Sequence, residues 1–407
     1  MRSAVVLSEP MNTHHRASRI RCVQSACSAL LLWAALLAAS NTAAVAQNQQ
    51  RLQRLSPGQQ QALRDRQNDS SLIVATSHPT ASYFAMAYAI ASAIEKNGEL
   101  RLLPISSGGG IETLRDLLFL RGVDMAIVPG NALAQALTTE SLGPSLPQRI
   151  AYITRLTNEE VHLLVGRNTK ALAELSGKKI AVPLDDGSAL FTARDLFARF
   201  SVNVEIVRMP AAEALEMVRA GDVAATLLMA GKPSPLLAGM PKDGSIRLLA
   251  LPFTPAMEDG YVPAAFRADD YPMLIPDGLV VESVAVSAVL MAHNAKGAED
   301  SLQRTAKFVP AFFDATSEHL LNRYAKLEMN LAATLPGWSR LPAAEEWLRR
   351  AQQQQALSLQ KTFEEFLRET RPPGSPNLTA TQRKKLFDEF VSWTRKSVSE
   401  TDALARR

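Results

Sequence analysis

The sequence predicts an α/β fold in two lobes with extra helices at the C-terminus, on three observations. Short apolar runs alternate with helix-patterned stretches from Leu72 to Met291. At about 270 residues, the region from Leu72 to the mid-300s is long for one doubly wound sheet, so two lobes are expected. Loops rich in glycine and serine stand where apolar runs turn into helices, at Thr76–Ser82 and Ser106–Gly110. A strand that ends in small polar residues and opens a helix leaves backbone N–H groups unpaired, with the helix dipole behind them, and so favours an anion.

The N-terminus is expected to lie outside the fold. Arg16, Arg19 and Arg21 precede an apolar run from Ala29 to Ala39, and Ala44-Val45-Ala46 follows before Gln47. A basic segment, a short apolar core and an A-x-A site read as a signal peptide over residues 1–46, with Met11 an alternative start. Four arginines and one glutamate leave with it, so the formal charge falls from +4 to +1. That balance gives no electrostatic case for nucleic acid. Cys22 and Cys27, the two cysteines of the chain, leave as well, which removes disulfides, thiolate metal sites and thiol nucleophiles. Residues 47–71 read as a polar, glutamine-rich lead segment.

Strands are expected at Leu72–Ala75, Arg101–Ile105, Met125–Val128, His162–Val165, Lys179–Val182, Val204–Arg208, Ala224–Leu228, Ile246–Leu251 and Val284–Leu290. Helices are expected at Ser82–Lys96, Gly110–Leu120, Asn131–Leu137, Ser188–Phe200 and Ala211–Ala220. This rhythm argues for parallel sheets covered by helices on both faces. A long apolar strand within Arg149–Arg167 and a second crossing near Glu282–Met291 are the expected hinge. They divide the chain into a first lobe of residues 72–155 and 252–340 and a second lobe of residues 156–251, with a ligand cleft between. Residues 341–407 read as a helical extension. Ala343–Thr370 carries Leu359, Phe363, Phe366 and Leu367 on one stripe, Arg371-Pro-Pro-Gly-Ser-Pro376 must break it, and Thr379–Val398 follows with Leu386, Phe390 and Trp393 in helical register. These helices are expected to pack on the body; a partner-docking helix is the alternative.

The order of the loops resembles the TAXI family of solute-binding proteins, the extracytoplasmic receptors of TRAP transporters. Thr76-Ser-His-Pro-Thr-Ala-Ser-Tyr-Phe84 stands at that family's first loop, and Ser106-Ser-Gly-Gly-Gly-Ile-Glu-Thr113 at its second. Arg121-Gly-Val-Asp-Met-Ala-Ile-Val128, Leu175-Ser-Gly-Lys-Lys-Ile-Ala-Val182, Asp186-Gly-Ser188, Ala220-Gly-Asp-Val-Ala-Ala225 and Ala230-Gly-Lys-Pro233 continue it. The match is collinear from about Leu72 to Trp338. His78, Pro79 and Ala81 replace glycines usual in the first loop, and the second ends in Gly110-Ile-Glu-Thr113 rather than Ser-x-Glu-Asn. The resemblance implies a type II periplasmic-binding-protein-like fold that clamps a small organic anion, such as a carboxylate or an amino acid, and hands it to the membrane subunits of a TRAP transporter. A ligand-sensing adaptor on the same fold is the second reading.

The candidate ligand-binding residues are Thr76, Ser77, Ser82, Tyr83, Ser107, Gly108, Gly109, Asn131, Arg155, Ser188, Thr192 and Arg194. Ser77, Ser82 and Tyr83 carry hydroxyls at the first loop, although Ser82 also fits a helix N-cap and Tyr83 a core aromatic. The run through Ser107, Gly108 and Gly109 permits close backbone approach. Asn131 follows Val128-Pro-Gly130 as either an N-cap or a ligand donor, and Ser188 and Thr192 belong to the helix start of the second lobe. Arg155 and Arg194 are the guanidinium candidates for a carboxylate, or ordinary surface arginines. No catalytic or metal-binding motif stands out. His78, His162, His293 and His319 have no metal-ligand spacing, Asp185-Asp186 reads as a turn, and no nucleophile elbow, His-Glu-x-x-His or P-loop lysine is present. The expectation is a binding protein without cofactor or catalytic residues.

Overall fold

The computed structural model describes residues 56–79, 81–95, 99–184, 186–294, 297–318, 332–370, 378–379 and 381–391. The segment expected to be a signal peptide, with its expected cleavage site, lies outside the described residues, as do His319 and Trp393. The chain divides into two units at Asn68. Of the first, the structure describes part of helix α1 (Pro57–Ser70), which is polar all round and buries no residue. The second unit, from Asp69 onward, holds the whole sheet.

Ten strands follow: β1 (Ser71–Ala75), β2 (Arg101–Ile105), β3 (Met125–Pro129), β4 (Ile150–Gly166), β5 (Lys179–Pro183), β6 (Glu205–Met209), β7 (Ala225–Ala230), β8 (Ile246–Leu248), β9 (Val262–Arg267) and β10 (Val280–His293). The longer helices among them are α2 (Ser82–Ile94), α3 (Ile111–Phe119), α4 (Gly130–Thr139), α5 (Gly187–Arg199), α6 (Ala211–Ala220), α7 (Glu299–Glu318) and α8 (Pro342–Thr370). The nine predicted strands all fall on observed ones. The strand β9 and the helix α7 were not predicted.

The strands join in one sheet in the order β2-β1-β3-β10-β4-β7-β5-β6, with β8 on β4 and β9 on β10. Separate parallel sheets are therefore corrected to a single mixed sheet. The flanks are parallel (β1 with β2 and β3, β5 with β6 and β7), and β4 and β10 run antiparallel through the middle. The first half of β4 and the last half of β10 pair with each other and carry β3. Beyond Glu160, β4 pairs instead with β7, while Val280–Ala285 of β10 pairs with β9. Each long strand thus passes from one half of the sheet to the other, and these are the hinge strands of a two-lobed α/β fold. The bulges in the β10–β4 register between Ser287 and Val289 and between Leu290 and Met291 fall at this crossing.

Burial explains the composition of the crossing strands. Every residue of β10 from Ser283 to Ala292 is buried, because helices cover both faces there. In the first lobe, α2, α7 and the start of α8 pack through Tyr83, Ala87, Phe308, Phe312 and Leu341 on one face. On the other, α3 and α4 pack through Leu114, Leu117, Ala132 and Leu133. The second lobe repeats the plan with α5 on one face and α6 on the other. Helix α6 stops at Gly221, whose left-handed backbone (φ 87°) lets its N–H reach the carbonyls of Met217 and Val218. At the start of β3, the buried carboxylate of Asp124 accepts from the Ile73 amide and from Arg304 of α7 at 2.6 Å.

The extra C-terminal helices pack on the body. Leu341 donates its N–H to Tyr152 of β4, Arg340 lies over the Tyr152 ring at 4.6 Å, and Trp347 stacks on Phe313 of α7. Residues 381–391 are helical and cover Phe363 with Phe387 and Phe390. Among the described residues no helix is long and apolar enough to cross a membrane.

Candidate ligand cleft

The helix starts of the two lobes face each other across the crossing strands. In the first lobe β1 leads to α2, β2 to α3 and β3 to α4. In the second β5 leads to α5 through Asp186, the N-cap whose carboxylate accepts from the Ala189 amide at 2.9 Å. The contact between lobes is backbone to backbone. A Cβ at Gly109 would stand 2.9 Å from the Ser188 nitrogen, and one at Gly187 would overlap the Gly108 carbonyl oxygen. The glycine run of the second loop was expected to approach a ligand. The structure uses it to let the two loops touch.

Asn131 forms the second bridge. Its Nδ2 donates to Thr192 Oγ1 of α5 at 2.9 Å and to the Tyr261 hydroxyl at 3.0 Å. Tyr261 in turn donates to Asp195 at 2.6 Å, so its hydroxyl must accept from Asn131, and this fixes which end of the amide points there. Asn131 and Thr192 are therefore brought together in one buried link. The N-cap position of α4 is Pro129, not Asn131.

The first loop leads to a buried acid. The N-cap of α2 is Ala81, without a side-chain bond, and Ser82 instead donates its hydroxyl to Glu159 of β4. Glu159 is almost fully buried. Burial first, then the charge of Asp186, holds its carboxyl well above the usual carboxylate range. Beside it the buried Tyr83 hydroxyl is pushed up by burial and by the charge of Glu159.

Three buried side-chain atoms at these helix starts have no hydrogen-bond partner among the described residues: Ser77 Oγ, Asn131 Oδ1 and Ser188 Oγ; the Tyr83 hydroxyl has only the Glu159 carboxyl beside it. Each is a candidate residue, and such groups are ordinarily satisfied; five further buried atoms of this kind lie elsewhere, three of them on α7 at Ser301, Arg304 and Thr305. The other candidates are engaged elsewhere. Thr76 Oγ1 donates toward the Ile105 and Ser77 carbonyls. Ser107 donates to Asp116 at 2.5 Å and accepts from Thr113. Arg155 is half-buried on β4 and donates to Ser287 of β10, which donates to Asn158. Burial lowers its pKa, and among the described residues it has no carboxylate partner.

Two chambers open beside the loop contact, and both are walled in part by His78 and Leu184. The smaller, about 420 Å³, is lined by Ser107, Gly108, Gly109, Arg194 and Arg208. The larger, about 740 Å³, is lined by Ser82, Asp186, Leu228, Met229, Ser234 and Leu236. Arg208 donates to the Leu184 carbonyl on the partition. Glu159, Gly187, Tyr261 and Arg208 were not among the predicted site residues; for Glu159 the signal was an acidic pair, Glu159-Glu160, inside a long apolar strand. No group of three or more His, Cys, Asp or Glu among the described residues could hold a metal ion.

Comparison with solved structures returns likenesses of low identity. A protein from Bordetella bronchiseptica RB50 matches at 15% identity over 64% of this chain and 76% of its own, with a TM-score of 0.42. A TctC solute binding protein from Polaromonas matches at 14% identity over 64% and 89%, with a TM-score of 0.36. The alkanesulfonate-binding protein SsuA from Xanthomonas axonopodis pv. citri, bound to MOPS, matches at 14% over 80% and 93%, with a TM-score of 0.34. A search of curated proteins finds no match. The model of the NMT1-like family matches residues 74–305, more than half of the sequence and the whole of the cleft just described. The chain belongs to the NMT1-like family.

Proposed function

We propose that this protein is an exported solute receptor of the TAXI type, which captures a small organic anion by closure of its two lobes and presents it to the membrane subunits of a TRAP transporter. The lobes in this reading cross over at β4 and β10; of the segment 252–340 expected in the first lobe, Met257, Tyr261, Phe266, Tyr271 and Ile275 pack with the second. The observation that carries it is the set of unpartnered buried polar atoms, Ser77 Oγ, Asn131 Oδ1 and Ser188 Oγ, at the helix starts of both lobes. A ligand bonded to Ser77 and Tyr83 on one side and Ser188 on the other stabilises only the closed form, and this differential affinity is what drives closure. The collinear loop order supports the TAXI assignment, and a charge near neutrality supports a small solute over nucleic acid.

Thermal melting against a panel of organic acids and amino acids tests the receptor role, since a ligand at a hundred times its Kd adds about 2.7 kcal/mol to the folded state. Transport reconstituted with TRAP membrane subunits tests the partner. A ligand that binds but is never transported would favour the sensing-adaptor reading.

A further inference from the structure

The two chambers differ in chemistry, and the difference limits the solute. The smaller one holds the cations. Arg194 and Arg208 line it together with Gly108 and Gly109, whose amides make no backbone hydrogen bond among the described residues, and its one lining carboxylate, Glu112, is paired with Arg115. Arg208 spends one donor on the Leu184 carbonyl, and a guanidinium has five. The larger chamber has no lysine or arginine among its described lining residues. Its walls are mostly leucine, methionine, proline and alanine, and Asp186 and Ser82 stand at one end with the Glu159 carboxyl behind Ser82. Leu184 is 51% exposed and Leu236 40%, large apolar side chains left open on the wall of one chamber.

We propose that the solute is a monoanion with an apolar body: its charged head lies beside Arg194 and Arg208, and its body passes Leu184 to fill the chamber walled by Leu228, Met229 and Leu236. The proposal rests on the receptor reading above and narrows its ligand class. A second carboxylate on the solute would enter a chamber that offers it no cation and faces it with Asp186, so small dicarboxylates are disfavoured. An apolar body instead covers the two leucines and removes their surface from water. A volume of about 740 Å³ lies within the range of pockets that enclose drug-sized molecules, far more than a two- to four-carbon acid occupies.

The test is isothermal titration of the full chain, without its signal segment, with butanoate, hexanoate and octanoate and with the dicarboxylates of equal length. Each added methylene should tighten the monocarboxylates by about fourfold, and each dicarboxylate should bind at least tenfold more weakly than its monocarboxylate. Leu236→Ser, a change at an exposed position, should flatten the chain-length slope, whereas Arg208→Gln should weaken every member of the series alike. Short acids that bind with a flat or falling slope, or a preference for dicarboxylates, overturn the apolar-body proposal and leave the receptor reading standing. Failure of every acid to bind while another solute class does overturns the anionic head, and with it the ligand class of the receptor reading.

Discussion

The backbone of Gly187 meets the carbonyl of Gly108 so closely that a Cβ at position 187 would stand 1.9 Å from that oxygen. The partner is backbone and cannot swing aside, so any side chain at 187 must hold the two loops apart. Gly187 is also a cleaner probe than Gly109, whose φ of +80° would strain any replacement whatever the space. Gly187→Ala should fold, melt within a few degrees of wild type without ligand, and bind at least tenfold more weakly, about 1.4 kcal/mol. Small-angle scattering should show that added ligand no longer contracts it. Unchanged affinity with normal contraction would mean that the loop contact is not part of closure.

Asn131 tests the same closure from the other side of the cleft. Removing its amide leaves Thr192 without its donor and Tyr261 with only its bond to Asp195. Asn131→Ala should cost about 1–3 kcal/mol in urea unfolding, and should loosen the lobes in scattering without ligand. If unfolding and scattering both match wild type, the Asn131–Thr192 link carries no closure energy.

The ion pair of Asp124 and Arg304 should matter to stability and not to binding. Asp124 is buried and also holds the Ile73 amide, so loss of the guanidinium leaves a charge with half its support. Arg304→Met should destabilise by about 3–5 kcal/mol while ligand affinity in the folded fraction stays at wild type. Chemical unfolding and titration separate the two, and a stability loss below about 1 kcal/mol would show that the pair is solvated in practice.

The alternation of runs such as Leu72–Ala75 and Ala211–Ala220 made most of the fold legible, because each pattern agrees with its local propensity and with its burial. Two elements escaped for opposite reasons. Strand β9 is Val262-Pro-Ala-Ala-Phe-Arg267, weak in strand formers and interrupted by proline, and its conformation comes from pairing with β10. Helix α7 contains Pro310, which hides a face made by Phe308, Val309, Phe312 and Phe313. The candidate site was legible where it depends on helix starts, hence Ser77, Asn131 and Ser188. Glycine read as room for a ligand at Gly109 also makes room for Gly187 and Ser188, and no local pattern distinguishes those two uses. Tyr261 reaches Asn131 from 130 residues away, a proximity only the tertiary fold creates.

Two buried titratable groups on β4, Glu159 and His162, and the partly buried Glu160 give the protein an unusual pH dependence. Burial raises Glu159 well above the ordinary carboxylate value of 4.5 and raises Glu160 to about 7, while it lowers His162 to about 4. Neutral His162 fits its partners: Nδ1 lies 3.0 Å from the Glu160 carbonyl and Nε2 lies 2.7 Å from the Tyr271 hydroxyl. For a carboxyl with a raised folded pKa, the folded state keeps a proton that the unfolded state has lost. Stability therefore falls as pH rises from about 4.5 to the folded value, at about 1.4 kcal/mol per pH unit for one proton. For His162 the unfolded state holds the extra proton between about 4 and 6.5, so stability rises with pH across that window and offsets one of the two carboxyls. Above pH 6.5 the offset ends. Urea unfolding at half-unit steps should therefore show stability declining more steeply between pH 6.5 and 7 than between 5 and 6. Glu160→Gln should remove about one proton's slope between pH 5 and 7, and Glu159→Gln should make the decline above pH 4.5 shallower as well. A Glu159→Gln profile parallel to wild type at every pH above 4.5 would mean that Glu159 is ionised in the folded protein, with its charge satisfied by Ser82.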